Sequence, residues 1–294
     1  MPSLKDVRIR IKSVISTQQI TSAMKMVSAS KLRRAQDSIL KLRPYANKMK
    51  ELLGNLSEGV DISGFDAYSK ERKKIEKILI IAVSSNKGLC GAFNSNVIKK
   101  TLSLINFKYA EQNKKGNVSL ICIGRKANEY FVKRNYKVIT NYNSLLDAPQ
   151  YEKIVDIAEG IMKDYRTAKY DKVEIVYNMF KNAAVQYVTE EQFLPLQAIT
   201  QANKSKLKAD YILEPSKEII VKELIPKSLK IQFYKVILDS LASEHGARMT
   251  SMHKATDNAT EILKELRLAY NKVRQASITK EILEIVSGAN ALKG

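Results

Sequence analysis

The sequence predicts an α/β domain inserted into a long antiparallel coiled coil, which is formed by the N- and C-terminal helices. Two observations carry this prediction. Apolar residues repeat every 3.5 positions at both ends of the chain, and strand-like apolar runs alternate with helical segments between those ends. We therefore expect a coiled-coil helix over 1–60, an α/β domain over 75–210 and a second coiled-coil helix over 211–294.

The N-terminal repeat is long. A heptad that starts at Leu4 places apolar residues at twelve of the sixteen a and d positions up to Leu56. The four polar exceptions are consecutive seam positions: Gln18, Thr21, Lys25 and Ser28. A 3.5-residue repeat of this extent indicates a supercoil with a partner helix, and such a helix would be roughly 80 Å long. Pro44 lies at an outward f position, where we expect a kink rather than a helix end.

The C-terminal repeat runs from Leu238 to Leu283, with apolar residues at eleven of fourteen a and d positions. The interruptions are His245, Arg248 and Lys280, and the last four d positions are Ile262, Ala269, Ala276 and Leu283. Residues 210–227 are expected to lead into this helix, and Gly288 offers a C-terminal stop. Antiparallel pairing of the two helices would place Gln18–Ser28 opposite His245–Arg248.

The middle of the chain changes from a helical period to short apolar runs. The pattern predicts strands over 77–83, 118–123 and 136–140, and a hairpin of 172–180 with 185–190, followed by 192–198. Helices are predicted over 92–104, 125–134 and 151–165, and a polar loop over 201–209. Strands that alternate with helices indicate a Rossmann-like domain with a largely parallel sheet.

Charge restricts the class of partner. The 294 residues carry a net charge of +20, and the first fifty contribute half of it, with twelve basic and two acidic residues. Such a block indicates an anionic partner. A basic-zipper protein would place these charges outside the heptads, and stacking on nucleic acid bases would need aromatic residues, of which the first here is Tyr45. An acidic protein surface fits better, with a basic coiled-coil nucleic-acid binder as the alternative.

The residues that could carry chemistry are few. The turn 84–91 has neither G-x-G-x-x-G nor G-x-x-x-x-G-K-[ST], so we interpret it as a tight turn, not the phosphate cradle of a nucleotide-binding enzyme. The chain has two Cys and two His residues. We expect no catalytic constellation, metal site or cofactor, and we expect Glu190 and Glu191 to be solvent-exposed. No run of eighteen apolar residues predicts a membrane span.

Three segments resemble one family. Residues 15–32, ISTQQITSAMKMVSASKL, closely resemble the N-terminal signature of the γ subunits of F-type ATP synthases. Residues 241–249, 255–259 and 270–279 are similar to the C-terminal signature of the family, and Asn86–Asn94 is similar to its central turn. Both terminal motifs are long and specific, whereas residues 96–235 match mainly in layout.

This resemblance implies a rotor stalk without catalytic activity of its own. In the family, the terminal helices form a coiled coil inside a hexamer of alternating α and β subunits, and the central domain lies against the ε subunit and the c-ring. Proton flow turns the ring, and the rotating stalk drives the catalytic β subunits through different affinities for nucleotides. The resemblance implies these partners, and no nucleic acid, for the present chain.

The resemblance also assigns roles to individual residues. The residues expected to face the acidic C-terminal loop of β are Met24, Lys25, Lys31, Arg33, Arg34 and Lys87. Those matching the region that meets a second β loop are Arg274, Gln275 and Thr279. The apolar tip expected in the bearing of the hexamer comprises Ile282, Leu283, Ile285 and Val286.

Location follows from the same resemblance. No transit peptide precedes the N-terminal motif, which favours a bacterial chain held peripherally at the cytoplasmic side of the inner membrane. A processed mitochondrial chain is the alternative. No close cysteine pair occurs in the second half, so we do not expect the thiol regulation of chloroplast members.

Overall fold

Helices lie at both ends of the chain, and strands alternate with shorter helices between them. The structure is a computed structural model that describes residues 3–57, 68, 72, 74–147, 149–196, 214 and 217–291. In chain order, the helices are α1 (Leu4–Ser57), α2 (Phe93–Ser103), α3 (Ala110–Lys114), α4 (Arg125–Lys133), α5 (Tyr151–Arg166) and α6 (Lys217–Ala291). The strands are β1 (Ile78–Val83), β2 (Val118–Ile123), β3 (Val138–Asn141), β4 (Lys172–Phe180) and β5 (Gln186–Leu194). A π-helical segment, Leu104–Lys108, follows α2, and a 3₁₀ turn, Asn143–Leu146, follows β3.

The described strands form one sheet in the order β3-β2-β1-β4-β5. The pairs β2–β3, β1–β2 and β1–β4 are parallel, whereas β5 is antiparallel to β4. The prediction of a largely parallel Rossmann-like sheet is thus confirmed. The second strand of the hairpin is longer than predicted, because β5 continues to Leu194 through the residues expected to follow it. The predicted loop over 201–209 lies outside the described residues.

Both faces of the sheet are buried, as the continuous apolar strands predict. In β1, Leu79, Ile81 and Val83 lie in a core cluster with residues of α5 and α6, while Ile78 and Ile80 lie in the opposite cluster with residues of α2 and α4. This alternation follows from the period of two along a strand, and it produces three layers. One helical layer consists of α5 and the N-terminal part of α6, from Ile225 to Leu241.

Helix α1 follows its heptad. The Ser3 hydroxyl accepts a hydrogen bond from the Asp6 amide at 3.2 Å, and Asp6 Oδ2 accepts one from the Ser3 amide at 3.3 Å, which caps the first turn. Every a and d position from Leu4 to Leu53 is buried or half-buried, which confirms the predicted seam. The helix continues through Pro44.

Helix α6 departs from its predicted register and bounds. It begins at Lys217, ten residues before the predicted lead-in ends, and it continues through Gly288 to Ala291, so the predicted stop at Gly288 is wrong. The last four predicted d positions, Ile262, Ala269, Ala276 and Leu283, are exposed. The seam instead uses Thr256, Leu263, Tyr270 and Ser277, each four residues after a predicted a position. The interruption at Arg248 lies just before this change, in the segment packed against the α/β domain.

Contacts between residues divide the chain into two compact units. The first comprises residues 1–28 and 249–294, and the second comprises residues 29–248. Each of the long helices contributes residues to both. The predicted three-part division at 1–60, 75–210 and 211–294 stays a prediction.

Candidate functional site

In the first unit, α1 and α6 pair antiparallel through polar contacts. Arg8 Nη2 donates to Tyr270 Oη at 3.0 Å, Gln18 Nε2 donates to Thr260 Oγ1 at 2.7 Å, and Thr256 Oγ1 donates to Thr21 Oγ1 at 2.8 Å. The prediction of an antiparallel pair is confirmed. The predicted register is wrong, because the polar seam of α1 lies opposite 253–260 and not opposite His245–Arg248. Matching hydroxyl groups on the two helices fix the observed register.

Two of the predicted contact residues, Met24 and Lys25, are half-buried in this helix pair. Lys25 Nζ lies 3.4 Å from His253 Nδ1, and the same nitrogen of His253 lies 3.3 Å from Asp257 Oδ2. Lys25 therefore belongs to a charged group that spans both helices, and only part of its side chain is open to solvent.

From Ile278 to Asn290, every residue of α6 is exposed. Arg274, Gln275 and Thr279 are exposed. The apolar side chains of the predicted tip are also open to solvent, with exposed fractions of 55% for Ile282, 60% for Leu283, 70% for Ile285 and 51% for Val286. Four large apolar side chains so close together on one helix end are an unusual surface for a chain that acts alone.

In the second unit, hydrogen bonds of the buried residues Ser85 and Asn86 fix the turn 84–91 at the carboxyl end of β1. The Ser85 amide donates to Asn94 Oδ1 at 2.9 Å, and the Ser85 hydroxyl donates to the Lys87 carbonyl at 2.6 Å. The Asn86 side chain donates to the Asn143 carbonyl at 2.7 Å and accepts from the Arg125 amide at 3.1 Å. Lys87, Gly88 and Leu89 remain exposed.

Helix α6 covers the same edge of the sheet. The Ser243 hydroxyl donates to the Asn178 carbonyl at 2.9 Å, and Asn178 Nδ2 donates to the Phe93 carbonyl at 3.2 Å. A Cβ atom at Gly246 would lie 3.2 Å from the Ala183 carbonyl oxygen, so the helix approaches the hairpin closely. The carboxyl ends of parallel strands are where Rossmann-like folds hold nucleotides. Here α6 contacts this edge through Ser243, which bonds to Asn178 of β4.

The basic residues predicted to meet an acidic partner are open to solvent in this unit. Lys31, Arg33 and Arg34 on α1 are exposed, as is Lys87 in the turn. Burial, with the positive charges of Arg248 and Lys31, lowers the pKa of His245 to about 4. His245 is therefore neutral near pH 7, and the positive field at this position comes from lysine and arginine.

Two carboxylates of β5 that were expected to be solvent-exposed, Glu190 and Glu191, have partners from distant parts of the sequence. Glu190 pairs with Lys100 at 2.8 Å and with Lys108 at 3.3 Å, and Glu191 accepts from Tyr177 at 2.8 Å and from Gln232 at 2.6 Å. Glu190 is exposed, as expected, although Lys100 and Lys108 pair with it, whereas Glu191 is half-buried and departs from the expectation.

Within the described residues, no group of three or more His, Cys, Asp or Glu side chains is arranged to hold a metal ion. The described helices also include none with both the length and the hydropathy needed to cross a membrane.

Comparison with known proteins decides the family. The family model described as ATP synthase matches residues 3–292. The ATP synthase gamma chain of Cytophaga hutchinsonii is 53% identical over 294 residues, covering 99% of both chains. That of Flavobacterium johnsoniae is also 53% identical over 294 residues and covers 100% of both. This chain belongs to the family of ATP synthase gamma chains.

Solved structures share the fold of this gamma-chain family member. A chain in a structure of the Euglena gracilis mitochondrial ATP synthase, with OSCP, F1 and the c-ring, aligns with a TM-score of 0.68 at 20% identity, covering 98% of this chain and 94% of that one. A chain of the Tetrahymena thermophila central stalk and c-ring aligns with a TM-score of 0.56 at 24% identity, covering 80% and 99%. The predicted fold class, two terminal helices with an inserted α/β domain, is confirmed.

One residue of the site, Arg248, was misinterpreted from the sequence. Arg248 looked like an interruption of the seam, yet it is 7% exposed and donates to the carbonyl groups of Lys87 at 3.0 Å and Gly88 at 3.3 Å. An arginine at a predicted apolar position was the only signal available. Its partners lie about 160 residues away in the sequence, and spacing alone does not identify such contacts.

Proposed function

We propose that this chain is the central rotor-stalk (γ) subunit of a proton-translocating F-type ATP synthase, which couples rotation of the ion-driven ring to the conformational cycle of the catalytic β subunits. It performs no bond chemistry itself. At the carboxyl edge of the sheet, Ser243, Gly246 and Arg248 of α6 contact β4, the β4–β5 hairpin and the turn 84–91, which supports a mechanical role.

The observation that carries the proposal is the exposed end of α6. The described contact between α1 and α6 nearest to this end joins Arg8 to Tyr270, and α6 continues from there to Ala291. Beyond Tyr270, the helix carries a cluster of apolar side chains between Ile282 and Val286, and the described part of α1 does not cover them. A stalk inside a ring of subunits needs such an end, because apolar side chains can slide against an apolar sleeve without directional bonds.

The exposed basic residues give the second kind of contact. Lys31, Arg33, Arg34 and Lys87 are solvated cations without a resolved ion pair among the described residues, so they are free to meet acidic loops. Exposed charge pairs are worth at most about 1 kcal/mol each, which suits contacts that must form and break as the stalk turns. Met24, Lys25, Arg274, Gln275 and Thr279 complete the proposed contact set on the helix pair.

The partners proposed are the α and β subunits as a hexamer, the ε subunit and the c-ring. Through this complex the chain is held peripherally at the cytoplasmic side of the inner membrane. The 53% identity to bacterial gamma chains supports the bacterial arrangement.

Reconstitution tests the role. The full chain is added to α and β subunits, and assembly and ATP hydrolysis are measured; we expect a complex whose hydrolysis depends on the chain. The variant Ile282→Asp with Leu283→Asp should fold normally and lose most of that hydrolysis. Val132→Asp, at a site on α4 with an exposed fraction of 54%, is the matched control and should retain it. Equal activity of the tip variant and the control would contradict the proposed bearing.

Charge reversal tests the basic contacts separately. Lys31→Glu, Arg33→Glu and Arg34→Glu together should lower gradient-driven ATP synthesis in vesicles by roughly tenfold or more, about 1.4 kcal/mol in the barrier. The control reverses three exposed lysines of the α/β domain, at Lys99, Lys133 and Lys137, and changes the net charge equally. If both triple variants synthesise ATP alike, the assignment to acidic β loops fails.

A further inference from the structure

The turn that carries Lys87 has an unusual shape for an exposed segment. Leu89 has a positive φ of 61°, which is unfavourable for a residue with a branched side chain, and its side chain is 62% exposed. Cys90, the next residue, is 1% exposed and packs with Phe93 and Ala247. The turn therefore holds an apolar side chain out in solvent in a strained conformation, and something must hold it there.

Arg248 supplies the restraint. Its Nη2 donates to the Lys87 carbonyl at 3.0 Å and its Nε donates to the Gly88 carbonyl at 3.3 Å, while its Nη1 pairs with Glu244 Oε1 at 2.8 Å. The guanidinium is planar, with donors in a fixed fork, so gripping two successive carbonyl groups and one carboxylate fixes the turn relative to α6. The side chains of both Arg248 and Glu244 are about nine-tenths buried.

We propose that Arg248 is a positioning residue that clamps the turn 84–91 onto α6, so that Lys87 and Leu89 are presented to the partner subunit as one rigid cation and apolar contact. The inference rests on the proposed function, because it deepens the assignment of Lys87. It adds Leu89 as a contact and makes the geometry of the turn depend on a residue that need not touch the partner.

A rigid turn would improve coupling between the stalk and its partner subunit in two ways. A mobile lysine loses side-chain and backbone entropy whenever it meets its partner, and a fixed turn has already lost the backbone part. A turn clamped to α6 also transmits the displacement of that helix to its exposed residues without first deforming. Both effects concern coupling rather than the stability of the fold.

Cys90 reports directly on the clamp. The full chain is treated with N-ethylmaleimide, and modification is followed for each cysteine by peptide mass spectrometry. Cys122, which is 0% exposed in β2, serves as the internal reference for opening of the sheet. In Arg248→Gln the ratio of the Cys90 rate to the Cys122 rate should rise roughly tenfold or more, since the charged hydrogen bonds that hold the turn are lost while the bonds of the sheet remain.

The matched control is Arg72→Gln. Arg72 also joins a carboxylate and a carbonyl group, donating to Asp171 and to the Tyr165 carbonyl at 2.7 Å, but it lies at the amino ends of β1 and β4. Its loss should destabilise the fold without changing the ratio of rates. Arg248→Lys keeps the charge but not the fork, so it should give an intermediate ratio, and it replaces Arg248→Gln if that variant does not fold.

The second measurement is ATP-driven proton pumping by the assembled complex relative to its ATP hydrolysis. We expect Arg248→Gln to lower this coupling ratio several-fold and Arg248→Lys to restore part of it, with Arg72→Gln unchanged. Equal Cys90 ratios in Arg248→Gln and Arg72→Gln would overturn the clamp, and so would normal coupling in a variant whose Cys90 is readily modified. Failure of the wild-type chain to assemble with α and β would instead refute the proposed function.

Discussion

Gly124 is the position where a single methyl group should do most damage to the turn. It follows β2 with a φ of +102°, and a Cβ atom added there would lie 2.2 Å from the Ser84 carbonyl oxygen and 2.7 Å from its carbon. Both atoms belong to the backbone, so no side-chain rotation relieves the clash. The Gly124→Ala variant must move the start of the turn away from α4.

The magnitude follows from what this movement breaks. The Ser84 amide donates to the Ile123 carbonyl at 2.7 Å, the Ala127 amide donates to the Ser84 hydroxyl at 2.9 Å, and the Lys126 amide donates to the Ser85 carbonyl at 3.1 Å. Losing two or three buried hydrogen bonds costs about 1 kcal/mol each, and the unfavourable φ costs about 1–3 kcal/mol. We expect Gly124→Ala to lower the free energy of unfolding by about 3–6 kcal/mol.

Urea unfolding of the full chain, followed by far-ultraviolet circular dichroism, measures this change. Gly160→Ala is the matched control, because its added Cβ atom meets nothing within 4 Å and the residue lies inside α5. That substitution should stabilise the chain by about 0.5–1 kcal/mol, since alanine has the higher helix propensity. A cost below about 1 kcal/mol for Gly124→Ala would refute the reasoning, because relief of the clash would then be cheap.

Three further predictions concern charges and hydroxyl groups. Because burial lowers the pKa of His245 from 6.5 to about 4, the unfolded chain takes up a proton first as pH falls. The stability that neutral His245 contributes should be fully present above pH 6.5 and lost as the pH falls to 4. In His245→Gln, the free energy of unfolding should therefore depend less on pH in this range than in the wild-type chain. An unchanged pH slope in the variant would contradict the assignment. Glu174, 2% exposed, accepts from Lys108 at 2.7 Å and from Tyr109 at 2.6 Å, so Glu174→Gln should cost about 1–3 kcal/mol in urea unfolding, whereas Glu76→Gln at an exposed pair should leave the midpoint unchanged. A double-mutant cycle of Thr21→Val and Thr256→Val should give a coupling of about 0.5–1.5 kcal/mol, and additive effects would show that their hydroxyl contact does not stabilise the helix pair.

Local patterns predicted much of the fold, because the interactions behind them are local. The strands β1 and β2 match their predicted bounds to within one residue, since an apolar run of that length fits a strand buried on both faces. The α1 seam was correct at every described position up to Leu53. The resemblance of 15–32 and 241–279 to known signatures indicated the family correctly.

The α6 seam shows where local sequence patterns no longer predict the structure. Its predicted d positions failed after Ala255, the point at which Thr256 and Thr260 of α6 bond to Thr21 and Gln18 of α1. Hydroxyl and amide pairs fixed the register of the two helices, and a pattern of apolar positions does not reveal such pairs. Gly288 likewise failed as a stop, since a helix ends at glycine only where a capping contact favours it.

The sequence alone determined the fold class, the antiparallel pairing and the concentration of positive charge on the N-terminal helix, because helical and strand periods and ionisable groups are properties of the chain itself. Tertiary structure decided which of these features form a site. It brought Arg248 to the carbonyl groups of Lys87 and Gly88 and Glu191 to Tyr177 and Gln232, and it packed α6 against the carboxyl edge of the sheet. Each of these contacts joins residues on different elements, and their energies depend on burial that only packing creates.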